Sequence, residues 1–348
     1  MKATVADILK TEALESRESL GMTLYQPLEA MEDSVRFKLF RTGNPLHLSD
    51  VLPVLENMGV RVVDERPHEV KPAGSQSVWV HDLGMVYEKE GQLQSEHMRQ
   101  LFQDAFAQVW QGHMESDGFN RLVLYAQLPW RSVVMLRTCC KYLRQTRFTF
   151  SQHYMEQALN NQPQIACLLV DLFNARFDPK YQDQAIKRTE SLTDAIEQSL
   201  EAVPSLDEDR ILRRFFILVL SVLRTNFFQV NDDGSVKGYM SIKLDPTQIP
   251  DLPKPKPQYE LFVYSPRTEG VHLRGGRIAR GGLRWSDRLE DFRTEIFDLM
   301  KTQVVKNAVI VPVGAKGGFV VKQPPLEGET DGLIREVKNC YTTFIQGL

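Results

Sequence analysis

The hydrophobic period of this chain changes twice, so the chain cannot be one repeated element. In residues 33–86 the apolar positions alternate. Val35, Phe37 and Leu39 are separated by Arg36 and Lys38, the pattern of a half-buried strand. Thr42-Gly43-Asn44-Pro45 reads as a turn, and Ser49 stands where a helix N-cap belongs, ahead of Val51, Leu52, Val54, Leu55 and Met58. Gly59 is placed to stop that helix, and Val60–Val63 and Ser77–His81 read as further strands. From residue 92 to 228 the period becomes helical. Leu101, Phe102, Ala105, Phe106, Val109 and Trp110 share one face, further helices follow from Trp130, Phe148 and Pro163, and Asp207–Phe228 reads as one long helix. Near residue 230 the composition shifts to proline, with Pro246, Pro250, Pro253, Pro255 and Pro257 between strand-like Tyr239–Lys243 and Glu260–Tyr264. Residues 1–31 read as polar helix with little core.

The pattern predicts a multi-domain α/β chain. Residues 1–90 form a small ferredoxin-like α/β module with an N-terminal helix, 91–234 a helical region, and 235–348 a second α/β unit. With 348 residues and 42% hydrophobic content, the chain has enough apolar material for more than one core. A net charge of -3 carries no basic tilt of the kind a dedicated nucleic-acid binder needs. The four cysteines, Cys139, Cys140, Cys167 and Cys340, include no C-x-x-C pair and fit reduced, buried thiols in a cytoplasmic protein. The seven histidines are scattered, so no metal is expected. The longest strongly apolar stretch, Phe215–Leu223, is shorter than the roughly 20 residues that span a bilayer.

The chemistry is concentrated in the last third. Residues 267–288 carry Arg267, Arg274, Arg277, Arg280, Arg284 and Arg288 against Glu269 and Asp287, with glycine pairs at Gly275-Gly276 and Gly281-Gly282. Glycine pairs admit a ligand close to the backbone, and guanidinium forks match carboxylate or phosphate. The stretch reads equally as an anion site or as arginines facing solvent, nucleic acid or nearby acids. A helix is expected over Leu289–Val305, ending beside Lys306. A buried-type strand, Ala308–Val313, then runs into Gly314-Ala315-Lys316-Gly317-Gly318. A lysine at the end of a buried strand, between glycines, is drawn out of bulk water, which suits it to proton transfer. The plainer alternative is a phosphate or carbonyl contact in a tight turn. Neither a P-loop nor a dinucleotide-binding glycine fingerprint is present.

Arg280-Gly281-Gly282-Leu283-Arg284-Trp285, Met300–Ala308 and Pro312-Val313-Gly314-Ala315-Lys316-Gly317-Gly318 together resemble the substrate domain of glutamate dehydrogenases. Gly281–Arg288 and Lys306–Pro312 are most similar to the very large bacterial NAD-specific branch, and Arg36–Val63 and Val78–Met85 resemble the region that precedes its catalytic domain. The resemblance implies oxidative deamination of L-glutamate to 2-oxoglutarate and ammonia, with NAD as hydride acceptor. It implies that Lys316 is catalytic and activates the water that attacks the iminium carbon. It places Lys306 on the substrate α-carboxylate and Arg280 on the side-chain carboxylate, where the family has a lysine. Gly281, Gly282 and Arg284 join them as substrate-binding residues.

Only 32 residues follow Lys316, an acidic proline-containing loop and a helix over Leu333–Phe344. They hold no counterpart of the family's proton-transferring aspartate and no nucleotide domain. The expectation is a partial substrate domain within an interior piece of a larger homo-oligomeric protein, inactive alone, whose NAD is bound by a domain missing from this chain. A different reading makes residues 33–86 a regulatory or oligomerisation module that senses a small ligand. No nucleic-acid or membrane partner is expected.

Overall fold

The computed structural model describes residues 2–14, 19–27, 34–71, 76–87, 95–277, 279–306, 313–326 and 330–348. The chain divides into two compact units, Met1–Val133 and Val134–Leu348.

The first unit opens with α1 (Lys2–Glu12), β1 (Leu20–Tyr25), β2 (Ser34–Thr42), α2 (Leu48–Asn57), β3 (Val60–Val70) and β4 (Val78–Tyr87). The strands form an antiparallel sheet in the order β1-β2-β4-β3. β1 corrects the expectation of helix throughout residues 1–31. Met22 sits opposite Leu39, and Leu24, opposite Phe37, is its one fully buried side chain. So short an alternation becomes a strand because β2 offers it an edge to pair with. The N-cap of α2 is His47 rather than Ser49. Gly59 follows that helix with φ +86°, in the left-handed region that glycine enters without strain. β3 runs seven residues past the expected Val63, because β4 supplies ladder partners as far as Val70.

Two further helices, α3 (Glu96–Trp110) and α4 (Leu122–Tyr125), complete this unit. The buried ring of Phe37 meets Phe102 and Phe106 of α3 edge-on, at centroid distances of 5.4 and 5.0 Å. On the opposite phase of β2, Arg36 is buried between two carboxylates. Its Nε donates to Asp82 Oδ1 and its Nη2 to Asp64 Oδ1, both at 2.9 Å.

Helix α5 (Trp130–Gln145) leads into the second unit, followed by α6 (Gln152–Asn161), α7 (Pro163–Phe177), α8 (Ala185–Glu201) and α9 (Leu206–Ser221). α9 does not continue to Phe228. It stops at Ser221 and the chain enters β5 (Val222–Thr225). Arg176 explains the stop. Its guanidinium donates to the carbonyls of Val219 and Val222, which a continuing helix would need for itself.

β6 (Met240–Leu244), β7 (Tyr259–Tyr264), β8 (Thr268–Arg274), β9 (Ala279–Arg280), β10 (Leu283–Ser286), α10 (Phe292–Lys306), β11 (Val313–Val321) and α11 (Thr330–Gly347) complete the chain. The sheet order is β10-β11-β8-β7-β6-β5, and β9 also pairs with β11. β9 and β10 run parallel to β11, and the other pairings are antiparallel. Residue 235 lies in the β5–β6 connection, inside this sheet. The expected strand over Ala308–Pro312 lies outside the described residues, and β11 begins at Val313. Lys316 therefore sits mid-strand rather than in a turn after a strand. Its glycine neighbours pair in the ladder, Gly317 with His272 and Gly318 with Val271.

The two faces of β11 are covered differently. Phe319 and Val321 pack with Val263, Cys340 and Phe344, so α11 closes one face. On the other, a methyl group at Gly318 would collide with Ile296 of α10, and one at Gly314 would come 2.9 Å from Gln303 Cβ. Lys316 lies between Gly314 and Gly318 and so emerges on the α10 face.

Candidate active site

Three separate sequence motifs meet at β11. The Arg280–Ser286 segment lies alongside it in parallel, with Arg280 opposite Gly314, Leu283 opposite Gly317 and Arg284 opposite Gly318. The Gly317 N–H donates to the Gly282 carbonyl at 3.2 Å. α10, which carries Met300–Lys306, packs on the same face from which Lys316 projects.

This packing depends on glycine at two positions. A side chain on Gly281 would overlap the Ala315 carbonyl group, so the strands reach this spacing only with hydrogen there. A side chain on Gly282 would point toward the Lys316 Nζ, 4.0 Å from its β-carbon position. Gly282 thus leaves open space directly in front of the ammonium. Lys316 is half-buried and makes no ion pair among the described residues. An ammonium flanked by glycine backbone, with room before it, can hold a carboxylate or carbonyl oxygen or pass a proton to a nearby water.

The remaining sequence-predicted residues divide. Arg280 is exposed on β9. Arg284 is committed elsewhere: its Nε lies 2.7 Å from Glu295 Oε1 on α10, and Ser286 Oγ donates to the other Glu295 oxygen at 2.6 Å. Arg284 therefore ties β10 to α10. Lys306 is the last residue of α10, and its side chain lies outside those described. Half of the arginine cluster resolves into ion pairs, with Arg267 on Glu336, Arg284 on Glu295 and Arg288 on Asp291. Arg277 and Arg280 are left facing solvent.

The structure adds residues that periodicity did not single out. Gln303, one turn before the end of α10, has a buried amide oxygen without a hydrogen-bond partner among the described residues, beside Gly314. Its signal was present in the sequence, since it lies within the Met300–Ala308 motif. Gln145 of α5 clamps the start of α10. Its Nε2 donates to the Leu289 carbonyl at 3.0 Å and its Oε1 accepts from Arg293 N at 3.2 Å. Beneath the helix the Arg293 guanidinium meets Glu260 at 2.5 and 2.8 Å, a pair with almost no solvent access. Burial, then the Glu260 charge, pushes the nearby Tyr142 hydroxyl well above the usual tyrosine value. On the α11 side, burial and then the Arg274 charge hold the His272 imidazole below the ordinary 6.5.

Residues 195–348 match the catalytic domain of bacterial NAD-glutamate dehydrogenase. Residues 114–179 match glutamate dehydrogenase helical motif 3, and 19–98 the glutamate dehydrogenase ACT3 domain. The NAD-specific glutamate dehydrogenase of Pseudomonas aeruginosa is 48% identical over 347 residues, 99% of this chain and 21% of that protein. The chain belongs to the NAD-specific glutamate dehydrogenase family. The Halomonas elongata enzyme of the same name is 46% identical over 349 residues, 100% of this chain and 21% of its own length. That of Mycobacterium tuberculosis is 46% identical over 322 residues, 89% of this chain and 20% of its own. The chain thus spans about a fifth of the curated relatives it matches. The three regions follow in the order the fold shows: a β-rich ACT-like module, a helical middle and a mixed α/β end.

No described helix is long and apolar enough to cross a membrane. Among the described residues no cluster of His, Cys, Asp and Glu could hold a metal ion. No described glycine-rich turn leads from a strand into a helix in the way that cradles a dinucleotide pyrophosphate, so the described residues do not fit NAD.

Proposed function

We propose that this chain supplies the glutamate-binding half of an NAD-dependent glutamate dehydrogenase, which converts L-glutamate to 2-oxoglutarate and ammonia. The observation that carries this reading is the Lys316 ammonium, half-buried on the α10 face of β11 before the open space at Gly282. NAD would supply the hydride acceptor and would be held by residues outside those described. As the neutral amine, Lys316 takes a proton from the water that attacks the iminium carbon, and the ammonium so formed hydrogen-bonds the oxygen that develops. Lys306, at the end of α10, takes the α-carboxylate, and exposed Arg280 takes the side-chain carboxylate. Gly281 keeps β9 and β10 close against β11, and Gly282 leaves the space before the ammonium open to substrate. Arg284 acts through Glu295, keeping β10 against α10. The buried amide oxygen of Gln303, without a hydrogen-bond partner among the described residues, offers an acceptor to the substrate ammonium.

Lys316→Ala, in the enzyme that carries this segment, should lower kcat by about 10²–10⁴-fold, as loss of a general acid–base does. An unchanged kcat would remove Lys316 from the chemistry. The isolated chain should give no steady turnover of glutamate with NAD, and measurable turnover would contradict that part of the reading. Residues 1–90 form the regulatory or assembly module of the same protein, a reading supported by the ACT3 match. Saturable heat on titrating amino acids into the chain, lost on substitution at Gly43 or Gly59, is its expected signature.

A further inference from the structure

The turn between α5 and α6 faces one side of α9 across a groove of about 460 Å³. That volume falls within the range of small-molecule sites. None of the residues assigned to glutamate lines it. Its lining is unusual for a solvated surface. Arg210, Arg213, Arg214 and Ile217 are spaced i, i+3, i+4, i+7 on α9 and present one stripe to the groove, while Arg147, Phe148 and Phe150 come from the turn. Asp251 is the single acid in the lining.

The arginines are loosely held. Arg213 shares only its Nε with Asp209, at 2.8 and 2.9 Å, which leaves both terminal nitrogens of its fork available. Arg210 stands 3.7 Å from Asp207, with both side chains well exposed. Such surface pairs contribute little and exchange readily for a better anion. The Arg147 guanidinium makes no ion pair among the described residues, although its charge reaches Asp291. Arg214 is the fixed member. It bonds Asp251 at 2.7 Å and lies 5.0 Å over the Phe148 ring. Phe148 in turn meets Phe150 edge-on at 5.1 Å.

A second observation is independent of charge. Three non-glycine residues adopt left-handed backbone in the described structure, and two of them line this groove: Arg147 at φ +61° and Asp251 at φ +62°. That conformation is costly for side chains, and such strain concentrates where geometry serves a ligand. Forks suited to phosphate stand beside half-buried aromatic faces suited to a planar ring. We infer that the groove between α9 and the α5–α6 turn binds a nucleotide, its phosphates on Arg147, Arg210 and Arg213 and its base against Phe148 and Phe150. This inference does not depend on the glutamate chemistry.

The test is calorimetric titration of the chain with ADP, pyrophosphate and adenosine. ADP should bind saturably and more tightly than pyrophosphate, and adenosine should not register. Arg147→Gly should raise the melting temperature, by relieving the left-handed arginine, while weakening ADP about tenfold, the equivalent of about one charge-assisted contact. Phe150→Leu should weaken ADP and leave pyrophosphate unchanged. Arg335→Gln on α11 removes the same charge outside the groove and should change neither. Absence of ADP binding overturns the inference, as does ADP binding that Arg147→Gly and Arg210→Gln leave intact. Equal affinity for ADP and pyrophosphate would reduce the groove to an anion patch. A single-stranded oligonucleotide that outcompetes ADP would assign it to nucleic acid instead.

Discussion

Two adjacent glycines in one motif have opposite tolerances, because one faces backbone and the other faces space. Gly281→Ala drives a methyl group into the Ala315 carbonyl, which cannot move without parting β9 and β10 from β11. It should lose more than about 2 kcal/mol in urea unfolding, in the range of severe backbone clashes. Gly282→Ala meets nothing closer than the flexible end of Lys316, so its stability should stay within about 0.5 kcal/mol of wild type. In the full enzyme it should still lower kcat by narrowing the space before the ammonium. A stable Gly281→Ala variant would refute the strand spacing. Glu260→Gln is the residue-scale test of the buried pair. It leaves the Arg293 charge without a counter-charge and should cost about 3–5 kcal/mol in the same measurement.

At the scale of elements, α10 is held at its start by polar contacts and along its length by packing. Gln145 bonds both the Leu289 carbonyl and the Arg293 N–H, and Ile296 fills the space that Gly318 leaves. Gln145→Leu keeps the volume and removes both hydrogen bonds. Amide exchange at residues 292–295 should accelerate severalfold while β11 stays protected, and unchanged exchange would show that packing alone fixes the helix. α11 packs through Cys340 and the larger Phe344 ring. Phe344 is buried against Gly270 and Phe319, and Phe344→Ala should cost about 3–5 kcal/mol. The longer amphipathic helices other than α8 were legible in the sequence because one apolar face has one period. β1 and the end of α9 were not. β1 becomes a strand by pairing with β2, and α9 ends where Arg176, brought from α7, takes its last carbonyls.

The stability of the whole molecule carries a pH signature from His272. An imidazole held below 6.5 in the fold binds fewer protons there than in the unfolded chain. Stability therefore rises with pH through the interval between the depressed value and 6.5, and falls on acidification below 6.5. Melting temperature should drop more steeply below that pH in wild type than in His272→Gln, and parallel curves would exclude the effect. Composition and periodicity determined the order of the three regions, because each packs by its own hydrophobic repeat. The sequence also singled out Lys316, Gly281 and Gly282 as candidates, because a lysine among glycines departs from the surrounding composition. The sequence could not show that Arg284 is bound to Glu295, that Gln145 anchors α10, or that Arg147 and Arg213 share a groove. Those partners lie far apart in the chain, and polar residues on a helix look alike until packing decides which face is covered. Sequence alone determined which residues were candidates for chemistry. Tertiary structure decided which of their charges remain outside ion pairs, because an ion pair forms only where folding brings both partners within reach.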